Sequence, residues 1–98
     1  MSKSMSKSKS MNNETARIRW AELERHFARG VVMRVASDLD LVAVAAAFVR
    51  DDEAAVMDWM STRRVWRAST EDAQDWHQRD PDLWAVVAAP WVLVQEGA

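Results

Sequence analysis

The chain contains one long uncharged run near its carboxyl end, Leu83-Trp84-Ala85-Val86-Val87-Ala88-Ala89-Pro90-Trp91-Val92-Leu93-Val94. Apolar side chains stand at both odd and even positions of this run. A strand with one face in water carries a polar residue at every second place, so this segment has to be covered on both faces. Pro90 has no N–H for a sheet hydrogen bond, which predicts two short strands or one kinked strand. The run therefore lies at the centre of the fold or in a subunit interface.

Upstream of this run, capping residues and apolar spacing predict four helices and two strands. Apolar residues that recur every three or four positions indicate helices, and short β-branched runs indicate strands. Asn or Ser caps and acids in the first turn mark where helices begin. The first predicted helix runs from Asn12 or Asn13 to near Arg29 and is followed by a strand over 31–35. A second helix begins near Leu41, after the capping pattern Ser37-Asp38-Leu39-Asp40, and a third runs from 51–53 to 63–64. A strand over 65–68 follows, and the fourth helix begins at Ser69 and ends before Asp80.

This order, α-β-α-α-β-α-β(β), predicts an α+β fold. We expect a small mixed sheet of three to four strands with about four helices packed on it. The 98 residues are 49% apolar and include six tryptophans and two glycines, which is typical of one compact domain. The first ten residues, MSKSMSKSKS, hold all three lysines of the chain. We predict a disordered Ser/Lys tail over 1–11 and a single α+β domain over 12–96, with Met1 and Met11 as alternative native starts.

Charge and residue usage exclude several classes of function. The chain has no cysteine, so it has no disulfides, thiolate zinc sites or cysteine nucleophile. From residue 11 onward, ten arginines and fifteen acids give a formal charge of −5, which repels a phosphate backbone. No apolar run approaches the roughly 18 residues of a membrane span, and the amino terminus lacks the apolar core of a signal peptide. We therefore predict a cytoplasmic protein that contacts no membrane and carries no cofactor.

A basic and aromatic group of residues lies where the third predicted helix ends and the second predicted strand begins. Arg63, Arg64 and Arg67 surround Trp66, a mixture that can stack on a base and hold phosphate. The group is a candidate contact for a ligand or nucleic acid. The alternative is that Arg64 and Arg67 place their guanidinium groups beside Asp51, Asp52 or Asp58.

Both histidines stand near carboxylates. His77 is near three aspartates in sequence, but at about 100° per residue a helix turns Asp75 roughly 160° away from it. Glu22 and His26 share a helical face at i, i+4, which suits a metal pair or a hydrogen-bonded pair. Metal sites normally gather three or four ligands, so neither grouping predicts a metal site. His77 stays a candidate ligand contact.

Three segments of the chain resemble a known family. The segments are Arg17–Phe27, Asp38–Val42 with Phe48 and Asp51-Asp52, and Leu83–Glu96. They are similar to a family of small uncharacterised bacterial proteins that is defined as a domain of unknown function. The resemblance covers roughly residues 14 to 96 and is most specific over Ala89–Gln95. It implies a single bacterial domain and brings no activity, cofactor or functional residue with it.

Three functional hypotheses remain. The leading one is a non-enzymatic protein-interaction or regulatory domain that acts as a homodimer and hides part of the uncharged run across a two-fold axis. The alternative is a small-ligand-binding domain or enzyme with a tryptophan-lined pocket and His77 or an arginine as its polar group. Nucleic-acid binding is the third and is disfavoured by the acidic balance. The candidate interface residues are Trp84, Val86, Trp91, Val92 and Val94.

Overall fold

The computed structural model describes residues 15–97, which form a five-stranded mixed sheet with two helices on each face. Residues 1–14, which include the predicted Ser/Lys tail and the predicted caps Asn12 and Asn13, lie outside the described residues, as does Ala98. The elements are β1 (Ala16–Ile18), α1 (Trp20–Ala28), β2 (Val32–Val35), α2 (Leu41–Val49), α3 (Glu53–Ser61), β3 (Val65–Arg67), α4 (Thr70–Arg79), β4 (Leu83–Ala88) and β5 (Trp91–Glu96).

The sheet has the strand order β1-β4-β5-β2-β3. Strands β4 and β5 form an antiparallel hairpin at the centre of the sheet, in which Ala85 lies opposite Val94. Strand β5 also pairs with β2, and these two strands run parallel. The edge strands β1 and β3 each pair antiparallel with their neighbour. The α+β class, the mixed sheet and the four helices are thus confirmed, while the sheet has five strands instead of three to four.

The uncharged run forms the two strands of the central hairpin, as its pattern predicted. Val92 and Val94 face one core, which α1 and α4 close with Trp20, Leu23 and Trp76. Val86 and Leu93 face a second core, which α2 closes with Leu41, Val44 and Ala45. Helices of the same chain therefore lie on both faces of the run, although Val87 remains 57% exposed. Pro90 lies in the turn between the strands, where no sheet hydrogen bond is required of it.

The fifth strand is β1, and it replaces part of the first predicted helix. We expected helix from residue 12 or 13, but Ala16–Ile18 is extended and pairs with β4, with Ala16 opposite Ala85. The helix begins only at Trp20, after Arg19, whose backbone N–H donates to the Glu22 carboxylate at 3.2 Å. The predicted helix start was wrong because pairing with the edge of β4 satisfies the backbone here. Gly30, with φ +75°, follows the helix end as predicted.

Side chains cap the starts of the other three helices, and at α3 the cap is Asp52, whose carboxylate accepts from the Ala55 N–H at 3.2 Å. Ser69 caps α4 as predicted, since its hydroxyl accepts from the Asp72 N–H at 3.1 Å while the Asp72 carboxylate accepts from the Ser69 N–H at 2.9 Å. At α2 the cap is Asp40, whose carboxylate accepts from the N–H groups of Val42 and Ala43. Within residues 15–97, no helix has both the length and the apolar content to cross a membrane.

Candidate functional site

The structure does not gather the predicted basic and aromatic group on one surface. Trp66 and Arg67 are neighbours on β3 and therefore point to opposite faces of the sheet. The Trp66 indole donates to Asp72 at 3.1 Å, whereas the Arg67 guanidinium lies 5.4 Å from the ring centre of Trp91. Arg64 forms an ion pair with Asp38, and Arg63 is exposed in the turn after α3. The alternation of β3 separates Trp66 from Arg67, while Arg63 and Arg64 precede the strand, and the role of these four residues in binding a ligand stays a prediction.

His77 is exposed on α4, and the carboxylates near it in sequence have other partners. Asp72 pairs with Arg34, Asp75 with Arg79 and Asp80 with Arg19. Among residues 15–97, no three histidine, cysteine or acidic side chains converge on a point where a metal ion could bind.

The candidate interface residues divide into two groups. Val86, Val92 and Val94 are buried inside the subunit. Trp84 and Trp91 are half-buried, and each lies beneath an arginine, Arg17 over Trp84 at 5.1 Å and Arg67 over Trp91. The subunit's own helices thus account for the valines, and only the two tryptophans reach the surface.

A network of charged and aromatic groups joins β2, α4 and β5, and the sequence analysis missed it. Arg34 on β2 donates to Asp72 at 2.6 Å and to Glu96 at 2.9 Å, and its guanidinium lies 5.0 Å from the ring centre of Trp76. Glu96 also accepts from the Trp76 indole at 3.2 Å and from Arg79 at 2.6 Å. The one available signal was Arg34 itself, a lone charge in the apolar strand Val31–Val35.

This network stabilises the fold, and its two carboxylates already balance the charge of Arg34. A cleft of about 580 Å³ lies beside it at the carboxyl ends of β2 and β5, lined by Arg34, Trp66, Trp84 and Gln95. Arg34 already faces two carboxylates, and the Gln95 amide donates to the carbonyls of Ala36 and Leu39. Arg34 and Gln95 are therefore committed to holding α4 and the β2–α2 loop against the sheet.

The network predicts a loss of stability in acid. Burial raises the pKa of Asp72, but the Ser69 N–H, the Trp66 indole and Arg34 together lower that pKa below its usual value. A carboxyl with a depressed pKa in the folded state stabilises the protein above its unfolded pKa of about 3.9, and this stabilisation disappears as the pH falls through the folded value. Asp72→Asn should therefore lower stability near neutral pH and reduce the further loss below about pH 4.

The measurement is urea unfolding of wild type and Asp72→Asn across the acid range. Glu71→Gln is the control, because Glu71 is an exposed acid in the same helical turn. An acid limb equally steep in Asp72→Asn and wild type would contradict this role of Asp72.

A second feature is the exposed side of α3, which we call the α3 surface. None of the nine residues of α3 is buried, although the helix contains Val56, Met57, Trp59 and Met60. Four large hydrophobic side chains are highly exposed among residues 15–97: Val49 at 63%, Met57 at 67%, Met60 at 45% and Val87 at 57%. Two of these lie on α3 and Val49 ends the adjacent α2. The α3 surface is thus the least covered apolar part of the described chain.

A groove of about 490 Å³, the α3 groove, adjoins this surface. It lies between α3 and the turn of the central hairpin, and its apolar lining includes Met33, Val56, Met57, Met60, Pro90 and Trp91. Acids stand where α3 begins, at Asp51 and Glu53, and Arg67 stands at the groove near Trp91. Large exposed apolar surfaces with a charged rim are typical of protein-interaction sites, and methionine suits them because it adapts to the shape of a partner.

Comparisons with known proteins agree with the predicted resemblance. A family model described as "Protein of unknown function (DUF2288)" matches residues 6–96. The chain is similar to the protein PA1075 of Pseudomonas aeruginosa, which has an NMR solution structure, with 48% sequence identity and a TM-score of 0.82. The match covers 90% of this chain and 82% of that chain. A search of curated proteins finds no match.

Proposed function

The chain belongs to the DUF2288 family of proteins of unknown function, and from this premise we propose that it is a small non-enzymatic interaction domain that acts as a homodimer through the α3 surface. The observation that carries the proposal is that α3 buries no residue of its own. The other three helices each bury at least two side chains against the sheet. Met57 and Met60 are exposed to water, so covering them with a partner favours association. Moving a fully exposed methionine to a fully buried site contributes about 1.5–3 kcal/mol, which is an upper bound for each of these partly exposed side chains.

A second copy of the chain suits this surface because the surface carries both charges. Asp51 and Glu53 stand at one end of α3 and Arg63 at the other, so two copies related by a two-fold axis bring opposite charges together. Trp91, an interface residue predicted from the sequence, lines the adjoining α3 groove and gives the contact an aromatic side chain. We further propose a cytoplasmic location, which a chain without cysteine suits.

Met57→Asp should convert the dimer to a monomer without unfolding the subunit. The substitution places two like charges close to the two-fold axis and removes two apolar side chains from the contact, so we expect dissociation to rise by tenfold or more, about 1.4 kcal/mol or above. Native mass spectrometry and sedimentation equilibrium measure the change, and circular dichroism checks the fold.

The matched control is Val87→Asp. Val87 is also more than half exposed, but it lies beside α1 on the other face of the sheet. This variant should stay dimeric. A wild-type protein that is monomeric at about 100 μM, a hundredfold above a micromolar Kd, would refute the proposed function.

A further inference from the structure

We infer that two copies pair antiparallel along α3, with the two-fold axis at Met57 and with Asp51 of one protomer opposite the partner's Arg63. This inference rests on the proposed homodimer and adds its geometry. It follows from three properties of α3: which residues face outward, how they are placed about the helix midpoint, and where the flanking charges stand.

The outward residues of α3 form one stripe. At about 100° per residue, five of the six exposed residues of α3 fall within roughly 120° of the helix circumference, and the sixth, Asp58, lies about 40° beyond the edge of this stripe. Ala55 and Trp59, which are half-buried, lie on the opposite side and face the subunit. The stripe consists of Glu53, Ala54, Met57, Met60 and Ser61.

The stripe is symmetric about its own midpoint. Met57 is the central residue of Glu53–Ser61, and in an antiparallel pair with its axis there, residues equally far from Met57 face each other. Glu53 then faces the partner's Ser61, and Ala54 faces the partner's Met60. Met57 meets its own copy, and the other four residues of the stripe match each other in two pairs. The small Ala54 leaves space for the longer methionine side chain.

The charged residues that flank α3 are also placed symmetrically about Met57. Asp51 and Arg63 lie six residues before and six residues after Met57, so antiparallel pairing places each opposite the other, twice per dimer. Both residues lie in the turns that flank α3, one at each end of the helix. Neither side chain forms an ion pair with another residue in the 15–97 region. A parallel pair would instead bring the end of α3 that carries Asp51 to the same end of the partner helix and would align the two helix dipoles unfavourably.

The contact extends beyond α3. A stable interface buries about 800 Å² on each partner, which is more than a nine-residue helix offers. The α3 groove lies directly beside the stripe and brings Trp91 and Arg67 to its edge. We therefore include the rim of the groove in the dimer interface.

Cysteine cross-linking tests the position of the axis. The chain contains no cysteine, so a single Met57→Cys introduces the one thiol of each protomer. A residue on a two-fold axis meets its own copy, and mild oxidation should link most of the Met57→Cys protein into a covalent dimer. Met60→Cys faces the partner's Ala54 and should remain largely unlinked, as should Val87→Cys on the other face of the sheet.

The outcomes separate the inference from the proposed function. A dimer in native mass spectrometry whose Met57→Cys form links no better than Val87→Cys refutes the antiparallel pairing and leaves the homodimer in place. A monomer in native mass spectrometry refutes the proposed function itself.

Charge reversal tests the pairing of Asp51 with Arg63 independently. Asp51→Arg and Arg63→Asp should each weaken the dimer by about threefold to tenfold at low salt, because each places like charges together across the interface. The double variant restores opposite charges and should return the affinity to within about twofold of wild type. Thermal unfolding of each variant checks that the subunit is intact. A double variant weaker than both single variants would overturn this pairing.

Discussion

Replacing Trp76 by alanine is expected to lower the free energy of unfolding by about 3–5 kcal/mol. The Trp76 side chain is fully buried at the junction of α4 and the sheet. Its ring lies 6.2 Å from the ring centre of Trp20, and the Arg34 guanidinium lies on it at 5.0 Å. Alanine would leave a large cavity and remove the indole N–H that donates to Glu96. Since the free energy of unfolding of a domain is only about 5–15 kcal/mol, this single change removes a large part of the stability of the protein.

Urea unfolding followed by circular dichroism measures this loss. Trp76→Phe is a graded control, because it keeps most of the ring volume and loses the indole donor. It should cost clearly less than alanine. Trp66→Ala serves as the positional control, since Trp66 bonds Asp72 but is only half-buried. A Trp76→Ala protein within about 1 kcal/mol of wild type would contradict a role for Trp76 as the central side chain of this core.

The uncharged run and the cap of α4 could be predicted because their signals are local. At α2 the predicted capping pattern began three residues too early, since Asp40 and not Ser37 caps the helix. Apolar residues at every position of Leu83–Val94 predict cover on both faces, and the structure has helices on both, with Val87 as the large side chain of the run that stays exposed. Ser69 and Asp72 stand three residues apart and form the capping box that the spacing indicates. The strand β1 had no such signal. Three residues show no periodicity, and Ala16–Ile18 becomes a strand only because β4, at the other end of the chain, offers an open edge.

The Arg34 network and the α3 surface were harder to predict, since both depend on how the elements pack. Arg34 meets Asp72 and Glu96 across sequence separations of 38 and 62 residues, so no short motif could connect them. The sequence did indicate a helix with acids at its start and arginines at its end where α3 lies. It did not indicate which side of that helix the sheet leaves uncovered, because this depends on where α3 sits beside α2 and β3.

Arg34→Met is expected to destabilise the protein by about 3–5 kcal/mol, although the two side chains are similar in length. The Arg34 side chain is only 21% exposed, and it pairs with two carboxylates that are 15% and 25% exposed. Methionine fills a similar volume, so lost packing contributes little. The loss comes mainly from Asp72, which keeps its charge in a partly desolvated site without its cation, while Glu96 loses one of its two arginines and keeps Arg79.

A compensating variant separates this charge effect from any effect of shape. In Arg34→Met with Asp72→Asn and Glu96→Gln, no unpaired carboxylate remains beside the methionine, so at least half of the lost stability should return. Urea unfolding of the single and triple variants at neutral pH gives the comparison. If the triple variant is less stable than Arg34→Met alone, the network does not act through charge balance, and the hydrogen bonds of Asp72 with Trp66 and of Glu96 with Trp76 would then contribute more than the arginine does.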